Sequence, residues 1–250
     1  MATSKAVRVT ARNTLHNNYL NAFIGCTVII MSVIVGLFCA SFISEVDKSG
    51  IFGDIFFLLL CIFLYAPLIL GYLKFVWFCQ NNTQPNFGIM FTYFSAKAEY
   101  KRMIRFVLLL FVKIAVISFL CNLPAIISGL IGDGILKNIT FLDDLRPTFE
   151  VLCYVLASLG SILALIISVK YYMAPFLFIA DENMDIAEIM HMSVIIARGS
   201  SMEFWGLVFS VILYIIAGVL VIPLFFTLPF LAFCYMVHCR FAVAEYNSVC

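Results

Sequence analysis

Residues 22–44 read AFIGCTVIIMSVIVGLFCASFIS, an unbroken apolar run without a single charge. A helix needs about 20 mostly apolar residues to cross the hydrocarbon core of a bilayer, and this run is long enough. It does not alternate between apolar and polar residues, so it is not a strand of a membrane barrel. Five more runs of the same kind follow. Ile51–Trp77 has Asp54 at its start and Lys74 near its end. Ile104–Ile131 is interrupted by Lys113, and Val151–Val169 stays apolar through Tyr171–Ala180. Phe204–Val221 is the fifth, and Phe225–Ala244, with His238 and Arg240 in its last third, is the sixth. The expected fold is an all-α membrane protein of about six transmembrane helices, a single polytopic domain over residues 1–250.

Composition excludes most alternatives. Of the 250 residues, 64% are hydrophobic and 12% charged, where soluble domains have roughly 45–50% and 25%. Mean hydropathy is +1.09. So few charges cannot cover a soluble fold of this size, and disordered, collagen-like and disulfide-scaffold classes are equally excluded. A net charge of +1 provides no field to collect nucleic acid. The nine cysteines include no CxxC pair and lie mostly in apolar runs, so they read as reduced, buried packing residues.

Orientation follows from the lysines and arginines. Lys5, Arg8, Arg12, Lys74, Lys97, Lys101, Arg102, Arg105, Lys170, Arg198 and Arg240 fall on one side of a six-span arrangement, and Lys48, Lys137 and Arg146 on the other. The positive-inside rule places both termini in the cytoplasm and the chain in the cytoplasmic membrane. The apolar run after the basic N-terminus is too long for a signal peptide. Of the glycosylation patterns Asn81-Asn82-Thr83 and Asn138-Ile139-Thr140, only the second faces outward in this arrangement.

The connections suggest an internal repeat. Amphipathic segments precede spans one, three and five: Ala11–Leu20, Phe91–Arg105 and Ile186–Ser200. The steps Ala11-Arg12, Ala96-Lys97 and Ala197-Arg198 recur in them. Three units of amphipathic helix plus hairpin result, about 9–80, 86–180 and 185–247. The simplest role for these helices is to lie at the headgroups and link hairpins; repeated units also commonly enclose a site. Asn81–Asn86 and Asp181-Glu182-Asn183 are turns that open the second and third of these helices, and acidic residues suit a helix N-terminus. Gly132–Pro147 is the longest outer loop.

Candidate functional residues are few. Lys113 is the one ionised residue well inside a span, which by default marks a cavity; its long stem can instead snorkel to the basic side. Asp54 reads as the first turn of a helix at the outer boundary. Lys170, Tyr171, Tyr172 and Asp181 gather at the inner end of span four, where tyrosines anchor at the interface. His238 and Arg240 share span six. The three histidines form no metal spacing. Pro67, Pro124, Pro175, Pro223 and Pro229 each remove a helix hydrogen bond. Pro175 predicts a break in span four, and Pro223 and Pro229 bracket the expected turn between spans five and six. No GxSxG, Walker loop or GxGxxG occurs, so no enzyme class, cofactor or metal is expected.

The segments Tyr172-Met173-Ala174-Pro175, Ala180-Asp181-Glu182-Asn183, Ala187-Glu188 and Ser193, with Phe204, Pro229-Phe230 and Ala244-Glu245-Tyr246, resemble the bacterial domain-of-unknown-function nine-seven-five family of integral membrane proteins. Gly71-Tyr72 through Phe91 and the opening Ala11-Arg12 are similar to it as well. Leu163-Ala164 stands where that family often has a Pro-Gly pair. The resemblance implies location and fold, since the family has no assigned activity. A more distant similarity, to the membrane-embedded domain attached to some glycerophosphodiester phosphodiesterases, hints at lipid.

The expected function is therefore a non-enzymatic multi-pass membrane protein that handles lipid or a small apolar solute, or assists other membrane proteins, with the bilayer as its partner. The alternative is a small secondary transporter or channel. It requires Lys113 and Asp54 to face a shared water-filled cavity.

Overall fold

The computed structural model describes residues 4–46, 51–81, 85–131, 146–217 and 221–249, and among them all regular structure is helical. Six stretches are long and apolar enough to cross a membrane: Ser4–Glu45, Ile51–Gln80, Lys97–Leu130, Pro147–Ala180, Ile186–Ile212 and Phe225–Ser248. They have the length and composition that a multi-pass membrane protein requires. Most of the expected loop Gly132–Pro147 lies outside the described residues, as do Lys48, Asn82 and Thr83.

The first and third amphipathic segments are not separate connectors, whereas the second is broken. Helix α1 (Ser4–Val46) carries the first of them directly into the first span, with a kink at Asn18 (φ −125°, ψ 18°). Val7, Ala11 and Leu15, spaced four apart, are buried, which is the inward stripe of a helix packed on protein. After α2 (Ile51–Leu60), a π-helical turn (Cys61–Tyr65) and α3 (Ala66–Gln80), a 3₁₀ turn (Phe87–Phe91) and the short α4 (Thr92–Ser95) follow. Extended backbone at Ala96 then separates α4 from α5 (Lys97–Leu130). The third segment is the first half of α8 (Ile186–Ala217), where Ile189, Met190, Ser193, Ile196 and Ala197 are buried.

Proline positions govern the breaks. Pro67 has no N–H to donate to the Phe63 carbonyl four residues earlier. The Tyr100 hydroxyl donates to that oxygen at 3.0 Å. Helix α6 (Arg146–Ser168) tightens into a 3₁₀ turn over Val169–Tyr171, and α7 (Ala174–Ala180) starts afresh with Pro175 in its first turn. The break expected at Pro175 is present. The two prolines expected to bracket the turn between spans five and six do not bracket one. Helix α9 (Val221–Val249) contains both Pro223 and Pro229. Pro223 lies in its first turn, where the missing N–H has no helical partner to lose.

The chain divides into two compact units, Met1–Leu108 with Met173–Cys250, and Leu109–Tyr172. The core of the first draws on α3, α5, α7, α8 and α9, with Phe75, Phe106, Phe178, Met190 and Phe233 fully buried. Phe106 stacks on Phe178 at 4.4 Å between centroids, and Trp77 meets Phe176 edge-on at 5.2 Å. Tyr72 and Tyr65 donate to the carbonyls of Ala22 (3.3 Å) and Ser32 (3.0 Å), fastening α1 to the second span. Farther along the same helices Val35, Phe38, Phe42, Ile51 and Phe52 are exposed, the surface expected to meet lipid. In the second unit, a Cβ on Gly160 would sit 2.6 Å from the Cys121 carbonyl oxygen, so α5 and α6 approach backbone to backbone through a small residue. Of the eight described cysteines, all free, Cys26, Cys79, Cys234 and Cys239 are buried as expected, whereas Cys39 is exposed on α1.

Gly71 makes the close approach on which the inner core depends: a Cβ there would collide with the Met90 backbone, whereas Gly199 has open space around it. Gly71→Ala is expected to cost about 1–3 kcal/mol through overpacking, and Gly199→Ala to gain up to about 1 kcal/mol through helix propensity. Thermal unfolding of the two variants in detergent should therefore shift in opposite directions.

Candidate functional site

Lys74 stands in the apolar sequence of α3 with only 8% of its surface exposed. A buried ammonium requires a counter-charge. Glu182 provides it, with Oε1 2.7 Å from Lys74 Nζ. Glu182 lies in the link between α7 and α8, and side chains of that link set its backbone. Asp181 Oδ1 accepts from the N–H groups of Asn183 (2.9 Å) and Met184 (3.2 Å), forming a local turn. Asp185 Oδ2 accepts from Ala187 N–H at 3.2 Å and caps α8. The expected helix-opening role thus falls to Asp185, not to Asp181-Glu182-Asn183.

Arg102, from the second turn of α5, holds the link from the other side. Its Nη2 donates to the carbonyl oxygens of Asp181 (3.2 Å) and Met184 (2.8 Å), and its guanidinium lies over the Phe178 ring at 4.8 Å. Lys74 Nζ is 5.5 Å from the Tyr93 ring centroid. Together Lys74, Tyr93, Ala98, Glu99, Arg102, Phe178, Glu182 and Asn183 enclose a cavity of about 250 Å³. Glu99 contributes a carboxylate whose Oε2 is buried with no hydrogen-bond partner. Burial, and then the negative charges of Glu182 and Glu99, raise the Tyr93 phenol pKa, against a smaller lowering by Arg102. Tyr93 is therefore a neutral hydrogen-bond donor at physiological pH. The cavity offers cationic donors, anionic acceptors, a phenol and an amide within one small volume.

The residues singled out from sequence are distributed differently. Asp181 shapes the link but does not line the cavity. Arg240 is exposed and donates to the Gln80 carbonyl at 3.0 Å. The side-chain amide of Gln80 is buried without a partner. His238 is buried, 6.0 Å from the Phe204 ring. Tyr172 is half-buried, and its N–H bonds the Val169 carbonyl at 3.0 Å. Asp54 is exposed in the first turn of α2. Lys113, in the second unit, lies with its ammonium 5.4 Å from the Tyr171 centroid. Sequence reasoning missed Tyr93, Glu99, Arg102 and Glu182 as a site; the available signal was Lys74, a charge in an apolar run with no local partner. Among the described residues, no three His, Cys, Asp or Glu side chains come together to hold a metal.

No family model, curated protein or solved structure matches the chain.

Two expectations follow. Glu182→Gln should destabilise the fold by about 1–2 kcal/mol, because Glu182 is itself largely exposed but leaves Lys74 buried without a counter-charge. Adding Lys74→Met should recover most of that loss, and additive effects in the double-mutant cycle would argue against the coupling. Lys113→Leu should leave the melting temperature unchanged or raise it, as expected for a charge that no core contact requires.

Proposed function

We propose that this protein is a non-enzymatic, multi-pass protein of the cytoplasmic membrane that handles lipid, with both termini in the cytoplasm, and that the Lys74–Arg102 cavity holds a lipid headgroup. The observation that carries this reading is the cavity itself. It gathers an ammonium and a guanidinium beside aromatic rings, and four of the inner-side basic residues (Lys97, Lys101, Arg102 and Arg105) cluster in the first turns of α5. The positive-inside rule assigns that end to the cytoplasmic leaflet, whose phosphate groups are the nearest anionic chemistry.

The resemblance to the domain-of-unknown-function nine-seven-five family is compatible with this location. The alternative, a small secondary transporter or channel, draws on Lys113 and Asp54. Lys113 has the contact of an interfacial anchor, and Asp54 sits at an exposed helix start. Neither placement favours a polar pathway, and lipid handling is the reading with a site behind it.

Native mass spectrometry of the detergent-purified protein tests the proposal. The wild type should retain phospholipid, and Lys74→Met with Arg102→Met should reduce the lipid-bound fraction at least about tenfold, as expected when charge-assisted hydrogen bonds are lost. Equal retention by a variant with an unchanged melting profile would contradict it.

A further inference from the structure

We infer that the cavity selects a headgroup carrying both a phosphate and a primary ammonium over headgroups that share the phosphate but carry a quaternary ammonium or no cation. This deepens the lipid reading and rests on it.

The charge inventory is the first argument. The lining holds two cations, Lys74 and Arg102, and two carboxylates, Glu99 and Glu182. Their charges cancel, so the cavity has no surplus positive charge for a purely anionic headgroup. A ligand that itself carries both signs is the complement.

Unused hydrogen-bonding capacity gives the second. Arg102, which lines the cavity, engages the link carbonyls through Nη2 alone, so its Nη1 and Nε donors are not spent on the link. Lys74 spends one of its three donors on Glu182. On the acidic side, Glu99 Oε2 is buried and unpartnered, and a desolvated carboxylate oxygen without a donor is costly. Glu99 lines the cavity, and a primary ammonium there offers its carboxylate three N–H donors, whereas a quaternary ammonium offers none.

The aromatic rings give the third. A quaternary ammonium is recognised by open aromatic faces. Here Tyr93 and Phe178 already have Lys74 and Arg102 over them, at 5.5 and 4.8 Å. A volume of about 250 Å³ is below the roughly 300–1,000 Å³ of pockets that enclose drug-sized ligands. The cavity therefore admits a headgroup and leaves the acyl chains outside.

The test offers the purified full-length protein an equimolar mixture of phosphatidylethanolamine, phosphatidylcholine and phosphatidylglycerol with identical acyl chains, and counts bound lipids by native mass spectrometry. The wild type should favour phosphatidylethanolamine about tenfold over both others, the factor given by one charge-assisted hydrogen bond. Glu99→Gln should abolish the preference while total lipid bound persists. Phosphatidylglycerol or phosphatidylcholine bound as well as phosphatidylethanolamine, or a preference surviving in Glu99→Gln, overturns this inference and leaves lipid binding standing. Retention no higher than that of the Lys74→Met, Arg102→Met variant overturns the lipid reading itself. The wild-type ranking needs no variant, so a misfolded Glu99→Gln does not spoil the test. Soluble phosphoethanolamine bound by the lipid-free protein as tightly as phosphatidylethanolamine would keep the headgroup chemistry but overturn its lipid source.

Discussion

Hydrocarbon cannot hydrogen-bond to a peptide group, and this constraint shapes the whole protein. It makes each spanning segment a helix. It also limits where a helix can be interrupted. At Pro67 the carbonyl of Phe63 loses its helical donor, and a tyrosine hydroxyl from another helix takes the place. Charged side chains are held to the same rule, so they collect where helices end, and a site with ionic chemistry can form only there.

The cavity shows how such a site is built without a polar core. Lys74 reaches it from inside an apolar helix, with its stem buried and its ammonium delivered to Glu182. Arg102 has a second, positioning role. By bonding two carbonyls of the link it fixes the backbone that presents Glu182, so the two basic residues depend on each other through that segment. Phe178, under the Arg102 guanidinium, is itself stacked on Phe106.

Much of this fold is legible in the sequence, because length and apolarity define a membrane helix without reference to anything else in the chain. Ala22–Ser44 could be read in isolation, and so could the break at Pro175. Other features depend on partners. The amphipathic segments read as surface helices because a buried stripe such as Val7, Ala11 and Leu15 has the same periodicity whether it faces lipid or protein. Pro223 and Pro229 suggested a turn because a proline marks a helix start or a kink equally well. Lys74 and Glu182 are 108 residues apart, and no local pattern connects them. Lys113 drew attention through its central place in a run, whereas Lys74, nearer a run's end, read as a flanking charge.

The account depends most on which side of the membrane the basic helix ends occupy. An impermeant amine-reactive reagent, applied to right-side-out and inverted vesicles and read by peptide mass spectrometry, measures this on the native protein. Lys97 and Lys101, both exposed on the first turns of α5, should be modified only in inverted vesicles, and Lys48 and Lys137 only in right-side-out ones. Modification of Lys97 or Lys101 from the outer side would contradict the account.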